Sequence, residues 1–171
     1  DVHVNAITGS TGAGVKPSAT THFSWRAGNL SYYKPFTHQH LGEIKETLTR
    51  LNGSLDHEIY FLPLRGNHTR GIFATAYTDF EGDLEQARRL YADFYRSAAF
   101  TLLSDAPQVH MKMAVNTNKC VLGLHKHGNK LLITSVIDNL IKGASGQAVQ
   151  NMNLMFGLPE DMGLDLKGSA F

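Results

Sequence analysis

Apolar residues recur at three- and four-residue steps in three stretches of the chain and alternate with polar ones in several others. From Leu41 to Leu51 the positions Leu41, Ile44, Leu48 and Leu51 form one stripe, and Asn52-Gly53 supplies a stop, which predicts a helix. A second helix is expected from an Asp83 cap to about Ala98, with Leu84, Ala87, Tyr91 and Phe94 inward and Glu85, Arg88 and Arg89 toward water. A third runs from about Asn139 to Met155 on Ile141, Ala144, Ala148, Met152 and Met155, ended by Gly157 and Pro159. Strands are expected over residues 29–36, 57–64, 69–79, 108–115, 119–126 and 130–137. The second and third are joined by the turn-prone Arg65-Gly66-Asn67-His68 and should pair antiparallel. The last two are separated by His127-Gly128-Asn129, a hairpin signal, and residues 7–14 (ITGSTGAG) read as a loop. The order does not alternate strand and helix. It predicts an α+β domain with a mixed, mostly antiparallel sheet covered by helices on one face.

With 171 residues, 42% of them hydrophobic, the chain holds material for one core, so residues 1–171 are read as a single domain. Sixteen Lys and Arg against 15 Asp and Glu give a net charge of +1, which removes the bulk electrostatic reason to expect a nucleic acid or polybasic membrane partner. The single cysteine, Cys120, excludes an intrachain disulfide framework and a multi-cysteine zinc site and fits a reducing, cytoplasmic setting. No run of about 18 apolar residues exists to span a membrane. The chain opens on Asp1 without a signal-peptide pattern, which reads as a cut end.

Three stretches have residue types suited to chemistry. In His38-Gln39-His40-Leu41-Gly42-Glu43 an extended backbone would place both imidazoles on one face, with Glu43 one helical turn beyond His40 and able to orient it as an acid/base pair. The same residues also read as an exposed helix start, and two alternate histidines without a third ligand do not make a metal site, so none is expected. In the Thr8–Gly14 loop, glycine freedom would let amides converge on an anion, with the Ser10 and Thr11 hydroxyls as further donors. A plain turn fits equally. Arg70, where a strand begins, has the fork geometry for a carboxylate or phosphate, though such arginines are also ordinary surface residues. In the third stretch, Lys142 to Asn153, small residues allow close approach at the helix start, and Gln147 and Asn151 share a face that suits an amide ligand or simply points outward. His125-Lys126-His127 reads as surface and Cys120 as structural.

The segments ITGSTGAG, YKPFTHQHLGEI, NHTRGIFAT and DNLIKGASGQAVQNMNLMFGLPE occur in an order that resembles the C-terminal portion of the N-acetyl-gamma-glutamyl-phosphate reductases, over about Ala6 to Leu158. Gln39 and Gly42 depart from the Arg and Pro that many members carry, as in a divergent subgroup. The resemblance implies a glyceraldehyde-3-phosphate-dehydrogenase-like catalytic and oligomerisation domain of an NADP-dependent enzyme of arginine biosynthesis. That enzyme reduces an acyl phosphate to a semialdehyde and releases phosphate. Carried over residue by residue, it makes His40 the acid/base, His38 its neighbour in the substrate site and Glu43 the orienting carboxylate. Ser10, Thr11 and Arg70 become candidates for substrate anions, and Gln147 and Asn151 face the nicotinamide. It also implies that an N-terminal NADP-binding domain and the nucleophilic cysteine lie outside this chain, Cys120 not standing in that motif, and that the 171 residues alone are inactive. The competing class is a non-catalytic binding or assembly module of the same fold.

Overall fold

The computed structural model describes residues 1–168. Its strands are β1 (Val2–Thr8), β2 (Ser31–Tyr32), β3 (Ile59–Arg65), β4 (Ile72–Asp79), β5 (Thr101–Leu103), β6 (Cys120–His127) and β7 (Lys130–Ile137). They form one seven-stranded sheet in the order β2-β3-β1-β4-β7-β6-β5. The β1/β3 and β5/β6 pairs are parallel and the other four antiparallel, which meets the expectation of a mixed, mostly antiparallel sheet.

Two strand expectations are corrected. β3 and β4 do not pair, because β1, a strand the periodicity reading passed over, lies between them and bonds to both. The connection from Gly66 to Gly71 therefore crosses the end of β1, and its carbonyls at His68, Thr69 and Gly71 accept the amides of Ser10, Thr11 and Gly9. Residues 108–115 are not a strand either. They carry a single 3-10 turn, Met111–Met113, and are apolar because Val109, Met111 and Met113 pack on the buried Ala114, Val121 and Val136. The edge position beside β6 belongs to the short β5, and the strand expected over residues 29–36 contracts to Ser31–Tyr32.

Register and alternation assign the faces. Phe61, Val4, Ala76, Ile133 and Leu124 lie side by side across five strands. Against this face sits the His38 ring, 5.5 Å from Phe61, at the entry to α2 (His40–Asn52). The same face carries Cys120, which interacts with Tyr95 at the end of α3 (Leu84–Phe94). Both helices thus cover one face, as expected. On the opposite face His3 stacks between Tyr60 and Tyr77 at 4.8 Å from each, and both tyrosines remain 39% exposed.

Asp83 caps α3 as expected, its carboxylate accepting the Gln86 amide in a capping box. The helix ends at Phe94, short of Ala98, and its buried side differs from the expected stripe. Ala87 is fully buried, Phe94 is 65% exposed, and Arg88 turns inward to Asp105 and the Ser104 carbonyl. A single α-turn, α1 (Phe23–Arg26), precedes β2. The last helix begins as a π-turn at Ile141–Ser145 and continues as α4 (Gly146–Met155). Here the expectation is inverted. The buried residues are Gly146, Gln150 and Asn153, whereas Met152 and Met155 face out, Met155 at 81% exposure. The buried side is polar because it meets Lys142, Asn118 and Glu160.

Candidate active site

His38 and His40 are brought together, though not on extended backbone. Gln39 is helical (φ −55°, ψ −33°), and a turn closed by the Leu41 amide on the His38 carbonyl sets the two rings 4.7 Å apart. His38 also packs edge-on to Tyr33 and Phe61. Its Nδ1 accepts the His40 backbone amide at 3.3 Å, which assigns the proton of the neutral ring to Nε2. Burial, followed by the neighbouring His40 and Lys34 charges, pushes the His38 pKa below the usual histidine value. His38 is therefore neutral at pH 7, and His40 beside it is exposed. The reach of Glu43 back to His40 is not made. The Glu43 carboxylate is exposed and makes no hydrogen bond among the described residues.

Ser10, Thr11 and Arg70 gather at the edge where β1 ends, β4 begins and β7 ends. Phe61 and Arg65 are four residues apart on β3, so this edge lies about 13 Å along the sheet from the imidazoles. The Gly9, Ser10 and Thr11 amides do not converge on an anion, since all three donate to the 68–71 segment. Thr11 Oγ1 donates to the Thr69 carbonyl at 2.6 Å and accepts from Asn139 Nδ2. A Cβ on Gly9 would stand 2.5 Å from the Thr69 carbonyl oxygen, so the glycine permits this close crossing. Only the Ser10 hydroxyl in this group is unbonded among the described residues.

Arg70 is held. Its Nε and Nη2 donate to Asp138 Oδ2 and Oδ1 at 3.0 and 3.2 Å, leaving Nη1. Asp138 is wholly buried and also accepts the amides of Asn116, Leu140 and Ile141. Burial opposes its ionisation, but these amides and the Arg70 guanidinium outweigh that and hold its pKa below the usual carboxylate value. Asn139 Oδ1 takes the Gly71 amide.

On α4, Gln147 and Asn151 share a face as expected, and Gln147 Nε2 donates to Asn151 Oδ1. Lys142 donates to Gln147 Oε1 and Gln150 Oε1 at 3.0 and 2.7 Å and lies 5.6 Å from the Phe100 ring centre. Burial lowers its pKa, against the opposing pull of Cys120 and Glu160. Asp138, Asn139, Lys142 and Gln150 lie in segments the sequence marked but carried no individual role there. An Asp-Asn pair directly after an apolar strand and before a helix is a capping signal that would have flagged the first two.

The semialdehyde dehydrogenase dimerisation-domain family matches residues 1–139, most of the chain and all seven strands. The chain belongs to that family. This semialdehyde dehydrogenase domain is 64% identical over 171 residues to the N-acetyl-gamma-glutamyl-phosphate reductase of Christiangramia forsetii, and 60% identical to that of Parabacteroides distasonis. Each alignment covers all of this chain and 53% of the relative, so the chain spans about half the length of the curated relatives it matches. Among solved structures it superposes on an aspartate semialdehyde dehydrogenase II from Vibrio cholerae with a TM-score of 0.65 over 91% of the chain and 54% of that protein, at 14% identity. A probable aspartate-semialdehyde dehydrogenase from Pseudomonas aeruginosa gives 0.67 with the same coverages at 12% identity, and both support the fold. The family description supports self-association. Among the described residues no group of three or more metal-ligating side chains forms, and no helix is long and apolar enough to cross a membrane.

Proposed function

We propose that this domain supplies the acid/base part of an NADP-dependent N-acetyl-gamma-glutamyl-phosphate reductase, which forms N-acetylglutamate semialdehyde and releases phosphate in arginine biosynthesis. The observation that carries the reading is the touching His38–His40 pair within a chain 64% identical to a protein of that name. The proton traffic falls to His40. Its exposed imidazole takes the proton of a thiol nucleophile held outside these residues as sulfur attacks the acyl carbon and phosphate leaves, and returns it to sulfur when the hydride-reduced thioester breaks down to the aldehyde. His38, neutral with Nε2 bearing its proton, adds a hydrogen-bond donor beside His40 without a second positive charge. Glu43 acts on His40 through water in this reading. The Ser10 hydroxyl and Arg70 Nη1 are the groups still open to a substrate anion, with Thr11 bracing their loop.

When bound, the reduced cofactor NADPH would supply the hydride, and in this reading its carboxamide would meet α4. Gln147 Nε2 donates to Asn151 Oδ1, which leaves the Asn151 amide nitrogen without a hydrogen bond among the described residues, on an exposed residue. The exposed Met155 and Phe156 beside them, at 81% and 73%, offer an apolar surface to a nucleotide-binding domain outside the chain. The open sheet face around Tyr60, His3 and Tyr77 offers one to a second subunit.

The test is turnover in the semialdehyde-oxidising direction, with N-acetylglutamate semialdehyde, phosphate and NADP, on the enzyme that carries this chain and on its His40→Ala variant. Loss of roughly two to four orders of magnitude is expected for a general acid/base. Undiminished turnover in the variant would remove His40 from the reaction, and turnover by the 171 residues alone would refute the need for an outside nucleophile.

A further inference from the structure

Two arginines at the Arg65 end of β3 have no carboxylate partner among the described residues. Arg26 is 5% exposed, and its guanidinium donates only to neutral oxygens, the carbonyls of Thr20, Asn29 and Arg65 and the Ser31 hydroxyl. Arg65 lies on the same face of β3 as Phe61, with its Cζ 4.7 Å from the centre of the Tyr33 ring. Neither has an ion pair among the described residues. Arg65 Nε is buried and has no hydrogen-bond partner among the described residues. An unpaired buried donor on a cation costs free energy unless a ligand completes it. Tyr33 in turn touches His38 at 5.6 Å, so one ring separates the guanidinium from the imidazole pair. Lys34 adds a further positive charge acting on His38.

We infer that Arg65, stacked on Tyr33 beside His38 and His40, is the anchor for the α-carboxylate of an N-acylated amino-acid substrate. The inference rests on the proposed reductase reading and names its specificity residue. The dimensions agree. In an acylglutamyl chain the α-carboxylate carbon and the γ-carbonyl carbon are about 5 Å apart by bond lengths. Hydrogen bonds of about 3 Å at each end then span from the guanidinium past Tyr33 to an imidazole. Arg70, the sequence candidate for this task, has two of its three guanidinium nitrogens on Asp138, whereas the Arg65 guanidinium makes no hydrogen bond among the described residues.

The experiment titrates N-acetyl-L-glutamate and 4-acetamidobutanoate, which lacks the α-carboxylate, into the protein and its Arg65→Gln and Arg65→Lys variants. Wild type should prefer N-acetyl-L-glutamate by roughly 10- to 100-fold, the range for a charge-assisted contact. Arg65→Gln should abolish the preference and leave binding of 4-acetamidobutanoate unchanged, and Arg65→Lys should keep part of it. The fold should survive, because the Arg26 bond to residue 65 uses the main-chain carbonyl, at 2.6 Å, and thermal unfolding checks this. A preference that persists in Arg65→Gln, or none in wild type, overturns the assignment. Turnover without a carboxylate preference would overturn the anchor and leave the reductase reading. An Arg65-dependent preference without turnover would do the reverse.

Discussion

Replacing Asp138 by Asn changes one atom in a side chain with no exposure and tests whether the strand-end cluster is held by charge. Five donors converge on this carboxylate. Oδ1 accepts Leu140 N at 2.8 Å, Ile141 N at 3.0 Å and Arg70 Nη2 at 3.2 Å. Oδ2 accepts Asn116 N at 2.8 Å and Arg70 Nε at 3.0 Å. An Asn keeps the three bonds at Oδ1 if its oxygen takes that place, but its NH2 then confronts two donors, and the Arg70 charge loses its partner. Breaking a buried pair in this way costs about 3–5 kcal/mol. For a domain of this size each kcal/mol moves the melting temperature about 2–4 °C, so Asp138→Asn should lower it by roughly 6–20 °C at pH 7. The pH dependence has a definite sign. The folded pKa is depressed, so the stabilisation is present above the unfolded carboxylate value, near 4, and is lost as pH falls through the folded value. The gap between wild type and variant should therefore narrow below about pH 4. Calorimetric melting over pH 3–7 reads both effects, and a variant that melts within about 2 °C of wild type at pH 7 would refute the reasoning.

Three further outcomes follow from the site. The His38 ring should titrate below the ordinary histidine value, so its neutral form contributes stability at pH 7 that declines as pH falls through 6.5 and is gone below the folded midpoint. In His40→Ala that midpoint should rise as the neighbouring charge is removed, and an unmoved ring resonance in an NMR titration would contradict the coupling. Gly146→Ala should destabilise by about 1–3 kcal/mol or more, since its Cβ would meet Asn118 Oδ1 at 2.3 Å and Ile141 Cγ2 at 2.6 Å. Gly143→Ala, three residues earlier, meets nothing closer than 3.6 Å and should be neutral or stabilising by up to about 1 kcal/mol; equal melting shifts for the two alanines would refute the packing argument.

The elements that local signals define were legible. The stop at Asn52-Gly53, the Asp83 cap and the hairpin at Gly128-Asn129 each need only a few neighbouring residues, and each stands as read. Non-local order was not legible. That β1 separates β3 from β4 depends on a parallel pairing of residues 57 apart in sequence, Val2 with Ile59, which no turn signal encodes. Apolar content also misled where it marks a covering segment rather than a strand, as in Val109 to Met113.

The candidate site divides along the same line. Proximity within a motif was readable, so His38 and His40 meet, and Gln147 reaches Asn151. Commitment to a partner was not. Arg70 has the residue type and strand-end position of an anion binder, and what removes most of its fork is Asp138, 68 residues away. Arg65 gave no signal because its distinction is a missing partner, a property only packing can create. The inversion of α4 has a related cause. An amphipathic reading assumes that the apolar side is buried within the same chain. Here the helix turns Gln150 and Asn153 inward to a polar network and leaves Met155 and Phe156 exposed. That exposed apolar stripe lies on the same helix as the amides proposed for the cofactor, which is why the docking surface proposed for a nucleotide-binding domain was placed there.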